Sequence, residues 1–335
     1  MTTIETSATR IGVVGGGAWG TALANAAAAA GHDVTLWLRD GDAARTLQET
    51  RENTRYLPGV PLHRRIAATS EAEALGAAGT ILLVVPAQTV RGVLAELRQA
   101  FAPGAAVVLC AKGIERGSDS FMSAVAAESL ADAPIAVLSG PSFAADVARN
   151  LPTAVTLAAT DAGLAARLAA TLSGPTLRVY HTDDVRGVEV GGAGKNVLAI
   201  ASGIVAGRGL GESARAALIA RAFAELMRFA RAYGGRPETL MGLSGLGDLV
   251  LTASSPQSRN FAFGLALGGG AAPEDAAGGK LAEGAYTAAA LVALARARSV
   301  EMPVAEAVAA IVAGEASVEA VIAALLARPL RGEAE

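Results

Sequence analysis

Of the 28 lysines and arginines in this chain, only Lys112, Lys195 and Lys280 are lysines. An arginine cannot give up its proton inside a protein, whereas a lysine ammonium can. The positions that still carry lysine are therefore candidates for proton chemistry. Two of them sit among small residues: Lys112 in Cys110-Ala111-Lys112-Gly113, and Lys195 in Gly191-Gly192-Ala193-Gly194-Lys195-Asn196. Small neighbours let a ring or a reacting carbonyl come close. An ammonium placed there stabilises the charge that grows on a ketone oxygen during reduction and then protonates it. Burial next to a second ammonium would lower its pKa toward neutrality. Lys195, read as lying at the start of a long helix, is the expected proton donor, with a solvated helix residue as the plainer alternative. His32, His63 and His181 are scattered, offering neither a competing acid nor metal-ligand spacing. No metal is expected.

A third cluster runs Gly245-Leu246-Gly247-Asp248-Leu249, followed by Ser258-Arg259-Asn260. Asp248 is suited to orient Lys195 and offset its charge. Arg259 and Asn260 at a helix N-terminus suit a phosphate dianion, and a capped surface helix is the equal alternative from spacing alone. The lone cysteine, Cys110, lies in an apolar run and reads as a buried thiol. Without a second cysteine there is no disulfide within the chain, which fits a reducing, cytoplasmic setting.

These residues need elements to hold them. The sequence Ile11–Gly20 gives Gly15-x-Gly17-x-x-Gly20 directly after an apolar strand and before a helical stretch, with a second strand from Val34. In that context the glycines make a tight turn, a close approach of backbone to pyrophosphate, and close packing of helix on strand. The end of the second strand reads Leu38-Arg39-Asp40. Arg39 stands where an acid would bond a ribose 2′-hydroxyl, and a guanidinium there favours a 2′-phosphate. NADP(H) is the expected cofactor, and Asp40 keeps NAD(H) possible.

Strand candidates are Ile11–Val14, Val34–Leu38, Ile66–Ala68, Thr80–Val85, Ala106–Cys110, Ile135–Leu138, Ala154–Ala158 and Leu177–Tyr180. Helical spacing appears in Thr21–Ala30, Asp42–Asn53, Thr89–Ala100 and Phe121–Leu130. This alternation predicts a parallel sheet covered on both faces. Beyond about residue 185 only helical runs follow: Val188–Ala206, Ser213–Tyr233, Phe261–Leu267, Ala285–Arg298, Val304–Ala313 and Val318–Leu326, the last with Ser317 as N-cap. The expected fold is α/β, with an N-terminal Rossmann-type parallel-sheet domain over 8–184 and an all-α domain over 185–330. A site is expected between them.

Composition limits the function classes. At 335 residues, 52% hydrophobic and 18% charged, the chain has material for large cores. A net charge of −3 argues against a nucleic-acid footprint. Met1–Arg10 lacks the apolar core of a secretory signal, and the Ala-rich runs are too short to span a bilayer. A soluble protein without membrane insertion is expected.

Taken together, Gly15–Ala24, Tyr56-Leu57-Pro58, Ala111-Lys112-Gly113, Ser139–Ala144, Gly191–Val197, Gly242–Leu251, Gln257–Asn260 and Glu283-Gly284 resemble the bacterial-type NAD(P)-dependent glycerol-3-phosphate dehydrogenases. The resemblance runs almost end to end. It implies reversible reduction of dihydroxyacetone phosphate to sn-glycerol 3-phosphate, feeding glycerophospholipid synthesis, and a homodimer. It also implies that Lys195 is the general acid/base, with Lys112 and Asp248 beside it. Gly140, Ser142, Asn196, Ser258, Arg259 and Asn260 would hold substrate. Ala18, Trp19, Arg39, Tyr56, Lys112, Ala144, Arg259, Leu281 and Glu283 would join Gly15, Gly17 and Gly20 around the cofactor. Ser142 replaces a frequent threonine, and Ala285-Tyr286-Thr287 and Phe261-Ala262-Phe263 depart from the common pattern. Two rivals remain open. One is a related β-hydroxyacid dehydrogenase with an unphosphorylated substrate. The other is a non-catalytic NADPH-binding sensor that has no need of Lys195.

Overall fold

The computed structural model describes residues 9–278 and 282–329. In its first half, apolar strands alternate with helices. The strands are β1 (Arg10–Val14), β2 (Asp33–Trp37), β3 (Ile66–Thr69), β4 (Thr80–Leu83), β5 (Ala106–Leu109), β6 (Ile135–Ser139), β7 (Thr153–Ala158) and β8 (Leu177–Thr182). Between them lie α1 (Ala18–Ala29), α2 (Gly41–Thr50), α3 (Val90–Leu97), α4 (Met122–Ser129), α5 (Ala144–Ala148) and α6 (Ala162–Leu172). The strands form one eight-stranded sheet in the order β3-β2-β1-β4-β5-β6-β7-β8. One face packs on α1 and α6 through Leu23, Ala27, Leu36, Leu157 and Leu168. The other packs on α3 and α4 through Ile81, Val93, Leu94, Leu109 and Val125. With apolar residues needed on both faces, the central strands β1, β4, β5 and β6 carry nearly unbroken hydrophobic runs, while the edge strand β8 alternates buried and exposed residues over most of its length.

The expected all-parallel sheet is corrected at one seam. β6 and β7 pair antiparallel, Val137 opposite Ala158, while β7 and β8 run parallel to each other. Burial on both faces gives the same residue pattern in either direction, so composition could not report the reversal.

After Thr182 the described chain is helical: α7 (Val185–Gly207), α8 (Glu212–Ala232), α9 (Pro237–Met241), α10 (Asp248–Ala253), α11 (Arg259–Gly268), α12 (Pro273–Ala276), α13 (Glu283–Ala297), α14 (Pro303–Val312) and α15 (Val318–Leu326). Ser317 caps α15 by accepting from Ala320 N, as its position predicts. Helix α7 is the spine of this half. It is long and apolar enough to cross a membrane, yet 89% of that window is buried inside the protein. It is a core helix.

Glycine explains how α7 and α11 come so close. A Cβ at Gly203 would lie 2.2 Å from Phe261 O, at Gly207 2.1 Å from Leu265 O, at Gly264 2.1 Å from Ile200 O, and at Gly268 2.3 Å from Ile204 O. Each helix thus presents a pair of glycines spaced by four to the other's backbone. This packing fixes the N-terminus of α11, where Ser258, Arg259 and Asn260 begin, against the middle of α7, where Lys195 lies.

Candidate active site

Lys112 stands in the loop just after β5, at the C-terminal edge of the sheet. Its Nζ donates to Gly140 O at 3.0 Å and to Asp248 Oδ2 at 2.6 Å. Lys195 Nζ donates to Asp248 Oδ1 at 2.7 Å and to Thr252 Oγ1 at 2.8 Å. One buried carboxylate therefore bridges two ammonium groups drawn from opposite halves of the chain. An ammonium has three donors, so each lysine keeps one N–H beyond these bonds.

The lysine is not at a helix start as expected. α7 begins at Val185, and the run Gly191–Gly194 is helical and buried within it. Those glycines thin the helix where other elements meet it. A Cβ at Gly192 would sit 2.9 Å from Ser139 Oγ and 3.4 Å from Lys112 Cγ, and a Cβ at Gly191 would sit 2.6 Å from Ser244 O. The segment Gly242–Gly247 forms a π-helical turn over Leu243–Gly247 that runs directly into α10. That turn lies on Gly191 and carries Asp248 to Lys195.

Burial lowers the Lys195 pKa to about 8, and the positive charge of Lys112 adds to the drop, against the opposing pull of Asp248. Burial alone would raise the Asp248 carboxyl, but the two lysines hold it below the usual carboxylate range. It stays an anion, and the trio carries one net positive charge. Cys110 is buried, and burial pushes its thiol up to about 12 despite nearby Lys112. It is the inert core thiol that its apolar run predicts.

Behind the lysines runs a chain of amides. Asn196 Nδ2 donates to Lys112 O at 3.1 Å, Asn260 Nδ2 donates to Asn196 Oδ1 at 2.9 Å, and Gly284 N donates to Asn260 Oδ1 at 2.9 Å. These bonds tie the loop after β5 to α7, α11 and α13. Ser258 caps α11 by accepting from Phe261 N, and Arg259 opens that helix with an exposed side chain. Glu283 heads α13 and accepts from Ala87 N at 3.2 Å; burial raises its pKa, while Arg259, Lys112 and Lys195 pull the other way. Gly140 takes φ +144°, with its would-be Cβ 2.9 Å from Val155 Cα, and Ser142 Oγ donates to its carbonyl at 3.1 Å.

The glycine turn fits a dinucleotide pyrophosphate. Gly15 has φ +115° and its would-be Cβ would lie 2.3 Å from Val84 O, while a Cβ at Gly20 would lie 1.8 Å from Gly15 O. Gly17 meets nothing within 4 Å, and as N-cap of α1 it supplies no side chain to the helix end. Open space thus lies where a phosphate would meet backbone N–H groups. Ala18 and Trp19 form the first turn of α1, and Ala144 begins α5 beside it. Tyr56 is exposed, with the Arg55 guanidinium 5.1 Å from its ring centre. Arg39 is exposed and pairs with Glu96. Leu281, and with it Lys280, lies outside the described residues.

Two residues escaped the sequence reading. Thr252 accepts from Lys195 and lies one helical turn beyond Asp248; the i, i+4 spacing Asp248-x-x-x-Thr252 was the available signal. Asn53 is buried and donates to Gly16 O at 2.9 Å and Thr21 Oγ1 at 2.7 Å, latching its loop onto the glycine turn. Nothing local in the sequence marks that long-range contact.

A Rossmann-type sheet with its glycine turn, joined to a helical half that brings a second lysine to the sheet edge, defines a pyridine-nucleotide-dependent oxidoreductase. Residues 10–165 match the family described as "NAD-dependent glycerol-3-phosphate dehydrogenase N-terminus", and residues 184–323 match its C-terminus. The chain belongs to the NAD-dependent glycerol-3-phosphate dehydrogenase family. It is 77% identical to a glycerol-3-phosphate dehydrogenase [NAD(P)+] of Methylobacterium radiotolerans, over 98% of this chain and 99% of that protein. A Bradyrhizobium enzyme of the same name is 61% identical over 96% of this chain and 98% of its own length. The crystal structure of glycerol-3-phosphate dehydrogenase from Coxiella burnetii superposes with a TM-score of 0.90 at 40% identity, covering 96% of this chain and 99% of that one.

Proposed function

We propose that this chain catalyses the reversible NAD(P)H-dependent reduction of dihydroxyacetone phosphate to sn-glycerol 3-phosphate, with Lys195 as general acid/base. The observation that carries the reading is the Lys112–Asp248–Lys195 bridge. When bound, the reduced nicotinamide supplies the hydride. The residues of the chain supply the rest. The spare N–H groups of Lys112 and Lys195 face the growing negative charge on the ketone oxygen. Lys195, largely protonated at neutral pH with its pKa near 8, then gives its proton to that oxygen. Asp248 holds both ammonium groups in place and keeps two like charges together in a buried site. Arg259, at the N-terminus of α11, grips the substrate phosphate, with Ser258 and Asn260 setting that helix end. Gly140, Ser142 and Asn196 shape the pocket around Lys112.

Gly15, Gly17 and Gly20 with Ala18 and Trp19 hold the pyrophosphate, and Tyr56, Ala144, Leu281 and Glu283 complete the cofactor site. Arg39 favours NADP(H), because Asp40, the acid beside it in sequence, is engaged in capping α2 by accepting from Asp42 N and Ala43 N. We assign the cofactor unit to 8–184 and the substrate unit to 185–330. With this reading come a cytoplasmic homodimer and a role in supplying glycerophospholipid synthesis.

The test is to give purified protein dihydroxyacetone phosphate with NADPH or NADH in parallel and follow loss of nicotinamide absorbance. Turnover with both, faster with NADPH at limiting cofactor, is expected. No turnover with either would overturn the reading.

A further inference from the structure

Arg39 Nη2 lies 3.3 Å from Glu96 Oε2, joining the end of β2 to helix α3 across 57 residues of sequence. The two side chains are 63% and 48% exposed, so the pair is open to solvent. Asp40, the nearer carboxylate in sequence, is turned to the N-terminus of α2, its Oδ1 taking Asp42 N at 3.0 Å and Ala43 N at 3.1 Å. Arg45, the next arginine, pairs with Asp42 at 3.2 Å. The carboxylate that engages Arg39 is thus Glu96.

We infer that Glu96 sets the balance between the two cofactors by competing with a ribose 2′-phosphate for Arg39. This inference rests on the proposal that Arg39 receives that phosphate. A ribose bearing a 2′-hydroxyl leaves the Arg39–Glu96 pair closed. A 2′-phosphate draws the guanidinium away, because a dianion offers more charge and two acceptors to the planar fork. The released Glu96 carboxylate then stands near a second anion. Both effects weigh on NADPH and neither on NADH, so the pair narrows the preference. Because the pair is exposed, the effect is a few-fold change in affinity and not orders of magnitude. The relatives named for NAD(P)+ are so described without preference between the two cofactors, and a brake of this size on the phosphate form fits such dual use.

The experiment is calorimetric titration of the full-length protein and its Glu96→Gln variant with adenosine 2′,5′-bisphosphate, and with NADPH and NADH. Glu96→Gln is expected to bind the bisphosphate and NADPH roughly 3- to 5-fold more tightly at low salt, with NADH unchanged within about 2-fold. The gain is expected to shrink at high ionic strength. In an Arg39→Ala background, Glu96→Gln is expected to have no effect. If Arg39→Ala weakens bisphosphate binding while Glu96→Gln changes nothing, the competition is refuted and the Arg39 assignment stands. If Arg39→Ala leaves bisphosphate binding intact, the assignment itself falls. Equal changes for NADPH and NADH in Glu96→Gln would mark a general electrostatic role and also refute the competition.

Discussion

Asp248 holds the Lys195 ammonium at 2.7 Å with one oxygen while its other oxygen, 2.6 Å from Lys112, holds the second ammonium. The carboxylate therefore does two things at once. It raises the Lys195 pKa against the effects of burial and of Lys112, and it lets two cations sit close together in a largely buried site. Asp248→Asn is expected to lower kcat/KM by about 10²- to 10⁴-fold and to move the alkaline fall of the reduction reaction to lower pH. A variant with an unshifted pH profile would mean that Asp248 does not act on Lys195.

The direction of that profile follows from the lysine. In reduction, protonated Lys195 is the active form, so kcat/KM for dihydroxyacetone phosphate is expected to fall as pH rises through about 8. Oxidation of glycerol 3-phosphate needs the neutral amine and is expected to rise over the same interval. Parallel pH–rate profiles in the two directions check this; limbs of the same sign in both would contradict it.

Arg259 separates phosphorylated from plain substrates. Arg259→Ala is expected to lower kcat/KM for dihydroxyacetone phosphate by about 10²-fold or more, the scale of losing a charge-assisted phosphate contact. The already slow reaction of dihydroxyacetone should change far less. An unaltered ratio between the two substrates would favour an unphosphorylated substrate and the β-hydroxyacid dehydrogenase reading.

Backbone contact between α7 and α11 makes Gly264 intolerant. The Cβ of Gly264→Ala would lie 2.1 Å from Ile200 O, and a backbone atom yields less readily than a side-chain end. The gain of up to about 1 kcal/mol from replacing a helical glycine is expected to be outweighed by overpacking of about 1–3 kcal/mol or more. Denaturant midpoints of wild type and variant decide it, and a raised midpoint would show that the helices part without cost.

Glu225 gives the fold a pH dependence of its own. It is buried, both carboxylate oxygens take Val304 N at 3.1–3.2 Å, and burial pushes its pKa up to about 7 despite that bond and the charges of Arg228 and Arg328. Because the folded-state pKa lies above the usual 4.5, its protonated form stabilises the fold at low pH. That contribution is lost as pH rises from about 4.5 toward 7. Glu225→Gln keeps a neutral acceptor throughout. Its stability relative to wild type is expected to grow by about 2–3 kcal/mol across that interval; a constant difference would contradict the shift.

The sequence conveyed the central strands well because they are apolar runs bounded by turn residues, and it conveyed the glycine turn because strand, triplet and helix stand in order. It did not convey that β7 runs against β6, since side-chain pattern has no direction. Short helices such as α5, α9 and α12 have too few turns to show a period. The sequence reading puts Lys195 near the start of the helical run Val188–Ala206 and gives no reason for Gly191–Gly194 to stand inside a helix that begins at Val185. Those glycines are there to admit Ser139, Lys112 and the turn at Ser244, contacts that only the tertiary fold supplies. The same holds for Asn53, whose partners lie more than thirty residues away.

The most direct measurement compares wild type with Lys195→Met in two assays: NADPH affinity by fluorescence, and the single-turnover rate of NADPH oxidation by saturating dihydroxyacetone phosphate. The variant is expected to bind NADPH within about 2-fold of wild type and to lose about 10²- to 10⁴-fold or more in the single-turnover rate. A single-turnover rate close to wild type would contradict the assignment of the transferred proton to this lysine.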